Sequence, residues 1–283
     1  MGTSTSSSGP GSGVPLVPPW APPVPPLLPD GPEPGPELGA PNSPTETETD
    51  TDAPQQLPSA IAVPARFGPA RTALGGFGRT GSREDLRRGV GSYVSKGYSG
   101  SRTAATRFSG TAATASTLGN VLFSLANDQV VDGLDKSLLA AMDGDELLDN
   151  LVEAIRKVDG TQDAEAERSS TREALSETLE LFPDEDPLNL TEEARAYAVE
   201  RFVALDVFNR FVLDVGLAIQ ASAPNAIQAL SRLEEAKDYI AQTIGSAFRS
   251  IESKGITVTS STISSLVRTV LQDAFEVFEE YVL

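Results

Sequence analysis

From about residue 133 to the C-terminus, apolar residues recur with the 3.6-residue period of an α-helix. Leu147, Leu148, Leu151, Val152 and Ile155 form one stripe, and Leu175, Leu179 and Phe182 form a second that Pro183 stops. Thr191, followed by Glu192 and Glu193, has the chemistry of an N-cap with acids at the positive end of a helix dipole. The helix after it is the most apolar in the chain. Val199, Phe202, Val203, Leu205, Phe208, Val212, Val215 and Ile219 nearly encircle it, which predicts a central buried helix. Asp206, Arg210 and Asp214 recur at i, i+4 on it and are expected to keep one charged edge.

Ser222 and Pro224 are expected to open the next helix, with proline where a missing N–H costs little. Ile227, Leu230, Leu233, Ile240, Ile244, Phe248 and Ile251 would line its inner face, and Gly255 would end it. A last helix is expected from near Ser261. Ile263, Leu266, Val267, Val270, Leu271, Phe275, Phe278 and Val282 share its apolar face, with Asp273, Glu276, Glu279 and Glu280 mainly on the solvated side. Ile256-Thr257-Val258-Thr259 has strand propensity, but one short run cannot make a sheet. The predicted fold class is all-α, a helical bundle.

Upstream the pattern weakens. Ser82 with Asp85 resembles a capping box, and Leu86, Val90, Tyr93 and Val94 fit a short helix behind it. Ser101 to Ala126 is rich in Ala, Ser, Thr and Gly. A helix there would carry Phe108, Leu118, Val121, Leu122 and Leu125, but Gly110 and Gly119 weaken it. Gly76-Phe77-Gly78-Arg79-Thr80-Gly81 matches GxGxxG, yet no strand precedes it and no acid lies about 20 residues on. It reads as a flexible hinge rather than a dinucleotide loop. The first 65 residues show no amphipathic period. They hold most of the chain's 21 prolines and too few large apolar groups to offset the entropy of ordering. Val14 to Trp20 and Pro22 to Pro26 should sample polyproline II. The expected organisation is a long disordered Pro/Gly/Ser-rich tail and linker over 1–70, a basic Gly/Ser/Arg-rich, partly helical region over 71–126, and an acidic α-helical domain over 127–283.

Charge sharpens that division. The chain of 283 residues carries 22 Lys and Arg against 40 Asp and Glu, a net −18. Residues 1 to 65 have seven acids and no base; residues 66 to 107 have nine bases and two acids; the remainder has thirteen bases and thirty-one acids. The basic stretch interleaves Arg79, Arg83, Arg87, Arg88 and Arg102 with Gly, Ser and aromatics, a pattern that suits phosphate or nucleic-acid contact. The acidic domain beside it would repel nucleic acid, and the competing reading is that the basic stretch neutralises that domain or an acidic partner.

Composition also excludes chemistry. There is no Cys, so no disulfide, thiolate nucleophile, zinc ribbon or iron–sulfur cluster. There is no His, the commonest general base and transition-metal ligand. The acids Asp143, Asp145, Glu146 and Asp149 lack EF-hand spacing and read as a solvated helix start. No catalytic residues, metal or cofactor are expected, and a binding or assembly role is the better reading. No apolar stretch is long enough for a membrane span, because Asp206, Arg210 and Asp214 interrupt the best one. The N-terminus lacks a basic region and apolar core for secretion, so a cytoplasmic location is expected. Met1-Gly2 predicts Met removal and a free α-amine at Gly2, with a pKa of about 7.7 to 8 that makes it a usable nucleophile. Gly2 to Ser6 also fits the myristoylation pattern. Trp20, alone in a proline-rich run, suits an anchor in a partner's groove.

The opening Met1-Gly2-Thr3-Ser4, with Gly9-Pro10-Gly11 and Pro15-Leu16-Val17-Pro18-Pro19-Trp20, resembles the start of the QatB family of the bacterial Qat anti-phage defence system. Gly78-Arg79-Thr80-Gly81-Ser82-Arg83 through Gly97-Tyr98-Ser99-Gly100-Ser101-Arg102 is similar to that family's next region. The resemblance covers residues 1 to 20 and about 75 to 125. It implies a four-component operon whose other products resemble a P-loop ATPase, a QueC-like homologue of 7-cyano-7-deazaguanine synthase, and a TatD-like metal-dependent DNase. It further implies a non-enzymatic accessory subunit. Its tail residues Thr3, Ser4, Pro18, Pro19 and Trp20 would engage a partner, and Gly2 would accept a deazaguanine-type group from the QueC-like enzyme. The competing expectation is a nucleic-acid or nucleotide sensor acting through Arg79, Arg83, Arg87, Arg88 and Arg102.

Overall fold

The computed structural model describes residues 65–255 and 262–282. Gly2, Thr3, Ser4, Pro18, Pro19, Trp20, the strand-prone Ile256 to Thr259 and Ser261 lie outside the described residues. Within them the fold is all-α, as the periodicity predicts, and no strand is present among the described residues.

Eleven helices follow one another among the described residues: α1 Gly68–Thr80, α2 Arg83–Ser92, α3 Ser101–Arg107, α4 Ser109–Ala126, α5 Lys136–Leu139, α6 Gly144–Ile155, α7 Gln162–Leu181, α8 Glu192–Phe211, α9 Leu217–Ser222, α10 Ala226–Glu252 and α11 Ile263–Glu279. Two π-helical turns, Tyr93–Gly97 and Val212–Gly216, join α2 toward α3 and α8 to α9. Local chemistry sets most starts. Ser82, Asp143, Thr161, Thr191 and Asn225 each accept a hydrogen bond from the backbone N–H three residues on, the cap that satisfies an otherwise orphaned donor.

The apolar stripe of α8 is central, with Val199, Phe202, Val203 and Phe211 fully buried. Helices α4, α7 and α10 pack around it. Phe67 through Phe278 belong to one hydrophobic core, to which α1, α2 and α4 contribute Leu74, Phe77, Val90, Leu118 and Leu122.

Several expectations change. Residues 76–81 are not a hinge: they form the last turns of α1, and Gly81, with φ 72°, ends it in the left-handed conformation that favours glycine. The glycines serve packing. A Cβ on Gly78 would lie 2.6 Å from the Ile219 carbonyl oxygen, so α1 rests on the backbone of α9. Gly119 of α4 instead leaves room for a side chain, since a Cβ there would overlap the end of Ile263 of α11. Pro224 stands before α10 rather than in its first turn, and Asn225 is the cap. Ile227 and Leu230 are exposed by 83% and 61%, not inward. Ala229, Ala236, Ile240 and Ile244 set the buried face of α10, and two residues of helix turn Ile227 about 200° away from Ala229. Glu279 is half-buried rather than solvated; its carboxylate accepts the Ser101 N–H at 3.0 Å and so caps the start of α3. Asp206 is not on a solvated edge but wholly buried.

Candidate functional site

The five arginines Arg79, Arg83, Arg87, Arg88 and Arg102 are all exposed. Arg79 is on α1, Arg102 on α3, and the other three on α2. Arg88 is engaged by Glu84 at 2.8 Å and Asp85 at 3.5 Å. Arg87 lies over the Tyr281 ring, 5.2 Å from its centroid. Arg83 and Arg87, one turn apart, face the same cleft of about 210 Å³, whose opposite wall is α10. Arg79 and Arg102 are on other helices and do not line it.

Two further clusters were not read from the sequence. The first joins the two π-turns. Tyr93 is in one, Tyr98 directly follows it, and Asp214 is in the other. The Tyr93 hydroxyl donates to Asp214 Oδ2 at 3.0 Å and the Tyr98 hydroxyl donates to the same oxygen at 2.9 Å. Arg71 of α1 donates to the Asp214 backbone carbonyl at 2.8 Å. Phe67 stacks on Tyr93 at 5.3 Å, and Phe211 meets the same ring edge-on at 5.3 Å. Burial pushes the Tyr98 phenol up to about 12 and Tyr93 well above its ordinary value. Both hydroxyls therefore keep their protons and act as fixed donors. The cluster fastens α1 and α2 to the central helix; π-turns are frequent where a helix carries function.

The second cluster is internal. Glu167 of α7, 3% exposed, accepts from Arg156 at 2.6 Å, Arg210 at 2.9 Å and Thr114 at 3.0 Å. Asp206, fully buried, accepts from the Thr111 hydroxyl at 2.5 Å and lies 3.4 Å from Arg210 Nε. Its Oδ1 has no hydrogen-bond partner among the described residues. Burial pushes the Asp206 carboxyl up to about 6 although Arg210 and Thr111 pull it down. Through Thr111, Thr114, Glu167, Asp206 and Arg210 the cluster joins α4, α7 and α8. The sequence did hold a sign of it. Ala164, Glu167, Thr171, Ala174 and Thr178 repeat at helical spacing and are all buried, a stripe whose residues other than Glu167 are small and let α7 approach α8 closely.

Among the described residues no three acidic side chains gather as metal ligands. Asp143 caps α6, while Asp145 and Asp149 pair with Arg172. No helix among the described residues is long and apolar enough to cross a membrane.

The model of the family described as Qat anti-phage system associated protein QatB matches residues 99–278, from the end of the first π-turn region to the last turn of α11. The chain belongs to the QatB family. No curated protein and no solved structure matches it. The QatB match spans more than half of the chain and rests on the helical body. It overlaps the resemblance read from sequence only over α3 and α4. Membership in the QatB family makes the chain a component of an anti-phage defence system.

Proposed function

We propose that the chain is a non-enzymatic accessory subunit of the Qat system and that Gly2 is an acceptor for its QueC-like enzyme. The observation that carries this reading is the QatB family match across residues 99–278. The internal pairing of Glu167, Asp206 and Arg210 supports a body that docks rather than catalyses. The partners are the other Qat products: the ATPase subunit as the body's docking partner, the QueC-like subunit as the enzyme that acts on Gly2, and the TatD-like DNase as a further member, in the cytoplasm. The chemistry balances. ATP activates the carboxylate of a deazaguanine acid as its adenylate and pyrophosphate leaves; the Gly2 amine then attacks the acyl carbon, an amide forms, AMP leaves and a proton passes to solvent. Thr3, Ser4, Pro18, Pro19 and Trp20 would present Gly2 to that enzyme.

Intact mass of the chain co-expressed with the QueC-like enzyme tests it. The expected result is a mass increment localised to Gly2. An unmodified Gly2 terminus under active defence would sink the reading. Copurification of the ATPase with the tagged chain tests the docking role. A second reading, nucleic-acid sensing, has one observation in its favour: Arg79, Arg83 and Arg102 are exposed and have no carboxylate partner among the described residues. DNA binding that weakens with salt and is lost on Arg→Ala changes would support it.

A further inference from the structure

The cleft between α2 and α10 has two unlike walls. On α2, Arg83 and Arg87 are exposed, and neither has a carboxylate partner among the described residues. On α10, Asp238 is exposed and likewise without an ion-pair partner among the described residues, while Glu235 is paired to Arg232. Gln242 extends that wall by one turn. Leu86, 4% exposed, and the ring of Tyr239 supply apolar surface between the walls.

A ligand that satisfies all of this is compact and dipolar. It needs an anionic group for Arg83 and Arg87, because a guanidinium fork pairs best with a carboxylate or phosphate. At the other end it needs adjacent N–H donors, because a carboxylate only accepts. Between them it needs a flat apolar face, which Leu86 and the Tyr239 ring would cover. Guanine carries N1–H and N2–H side by side; adenine offers an acceptor at N1 instead and cannot pair with Asp238 in the same way. Two arginines alone would suit any phosphate. The opposed free carboxylate narrows the choice.

We propose that this cleft binds a guanine nucleotide, with its phosphate on Arg83 and Arg87 and its base edge on Asp238. The proposal is independent of the Gly2 reading, since neither cleft wall involves the N-terminus. Calorimetric titration of the full-length chain with guanosine 5′-monophosphate at low salt tests it. One saturable site is expected. Adenosine 5′-monophosphate and inorganic phosphate should each bind about tenfold or more weakly, the size of a lost charge-assisted hydrogen bond. D238N should weaken the guanine nucleotide by a similar factor and leave inorganic phosphate unchanged, whereas R83A/R87A should weaken both. All three residues are exposed, so the variants should keep the parent's far-UV circular dichroism. No binding of the guanine nucleotide, equal affinity for the adenine nucleotide, or an affinity unchanged by D238N overturns the proposal.

Discussion

Asp206 combines full burial, one hydroxyl partner, and a carboxyl raised to about 6 from 3.8. The native chain therefore binds this proton more tightly than the unfolded chain does. Its contribution is present in full below about pH 4 and lost as pH rises through about 6. The loss amounts to about 3 kcal/mol, from two pKa units at about 1.4 kcal/mol each. Asp206→Asn should remove that dependence, so its stability relative to the parent should improve between pH 4.5 and pH 7.5. Urea unfolding at the two pH values measures it; a constant difference would mean that Asp206 does not change protonation across the window. Gly78 is limited by space instead. An alanine there gains helix propensity but meets the Ile219 carbonyl oxygen at 2.6 Å, which is backbone and cannot swing away. Gly78→Ala should cost about 1 to 3 kcal/mol by forcing α1 off α9, read as a lower urea midpoint. Asp214→Ala would remove the acceptor that Tyr93 and Tyr98 share; the two hydroxyls, 3.3 Å apart, can still bond each other, so one buried donor is left unmet at about 1 to 3 kcal/mol, read as a lower urea midpoint.

Among the elements, α6, α7, α8 and α11 follow directly from apolar spacing, and Thr191 is the cap that its sequence context predicts. Thr191→Ala should destabilise the chain by about 1 kcal/mol, seen in thermal or urea melts, with α8 losing its first-turn acceptor. Helix α1 was illegible for a physical reason. Its glycines argue against a helix by propensity, and only the close approach of α9 makes them favourable. The inner face of α10 was legible from Leu233 to Ile251, and only its start was misjudged, where Ala229 rather than Ile227 or Leu230 turns inward. The charged row on α8 was visible as i, i+4 spacing. Its inward direction was not, since Thr111, Glu167 and Tyr93 lie between 39 and 121 residues away in the chain. The exposed arginines of the candidate cleft were legible as a basic run, whereas its acidic wall on α10 needed the fold.

At the scale of the molecule, one hydrophobic core runs from Phe67 to Phe278 and the two charged clusters tie its early helices to its middle. Residues 65–126 and 136–282 should consequently unfold together. Far-UV circular dichroism, which follows helix, and tyrosine fluorescence of a variant with Trp20, Tyr197, Tyr239 and Tyr281 changed to Phe, which follows the Tyr93–Tyr98 cluster, should give superimposable urea transitions. Separate midpoints would show that the basic helices detach on their own. The same coupling links the basic surface to the acidic body: Arg71 holds the backbone of the central helix, and Arg87 rests on Tyr281 at the far end of the described chain.

The π-turn at Val212–Gly216 has a further consequence for how this chain can vary. A surplus residue in an ordinary helix would advance everything after it by about 100° around the axis. A π-turn absorbs that surplus by winding less per residue, so α9 keeps the angle at which Ile219 meets Gly78. Removing one residue from the turn should therefore let an ordinary helix run through and leave Ile219 in place, while moving Asp214 relative to the Tyr93 and Tyr98 hydroxyls. The extra residue then serves the reach of one carboxylate rather than the register of the core.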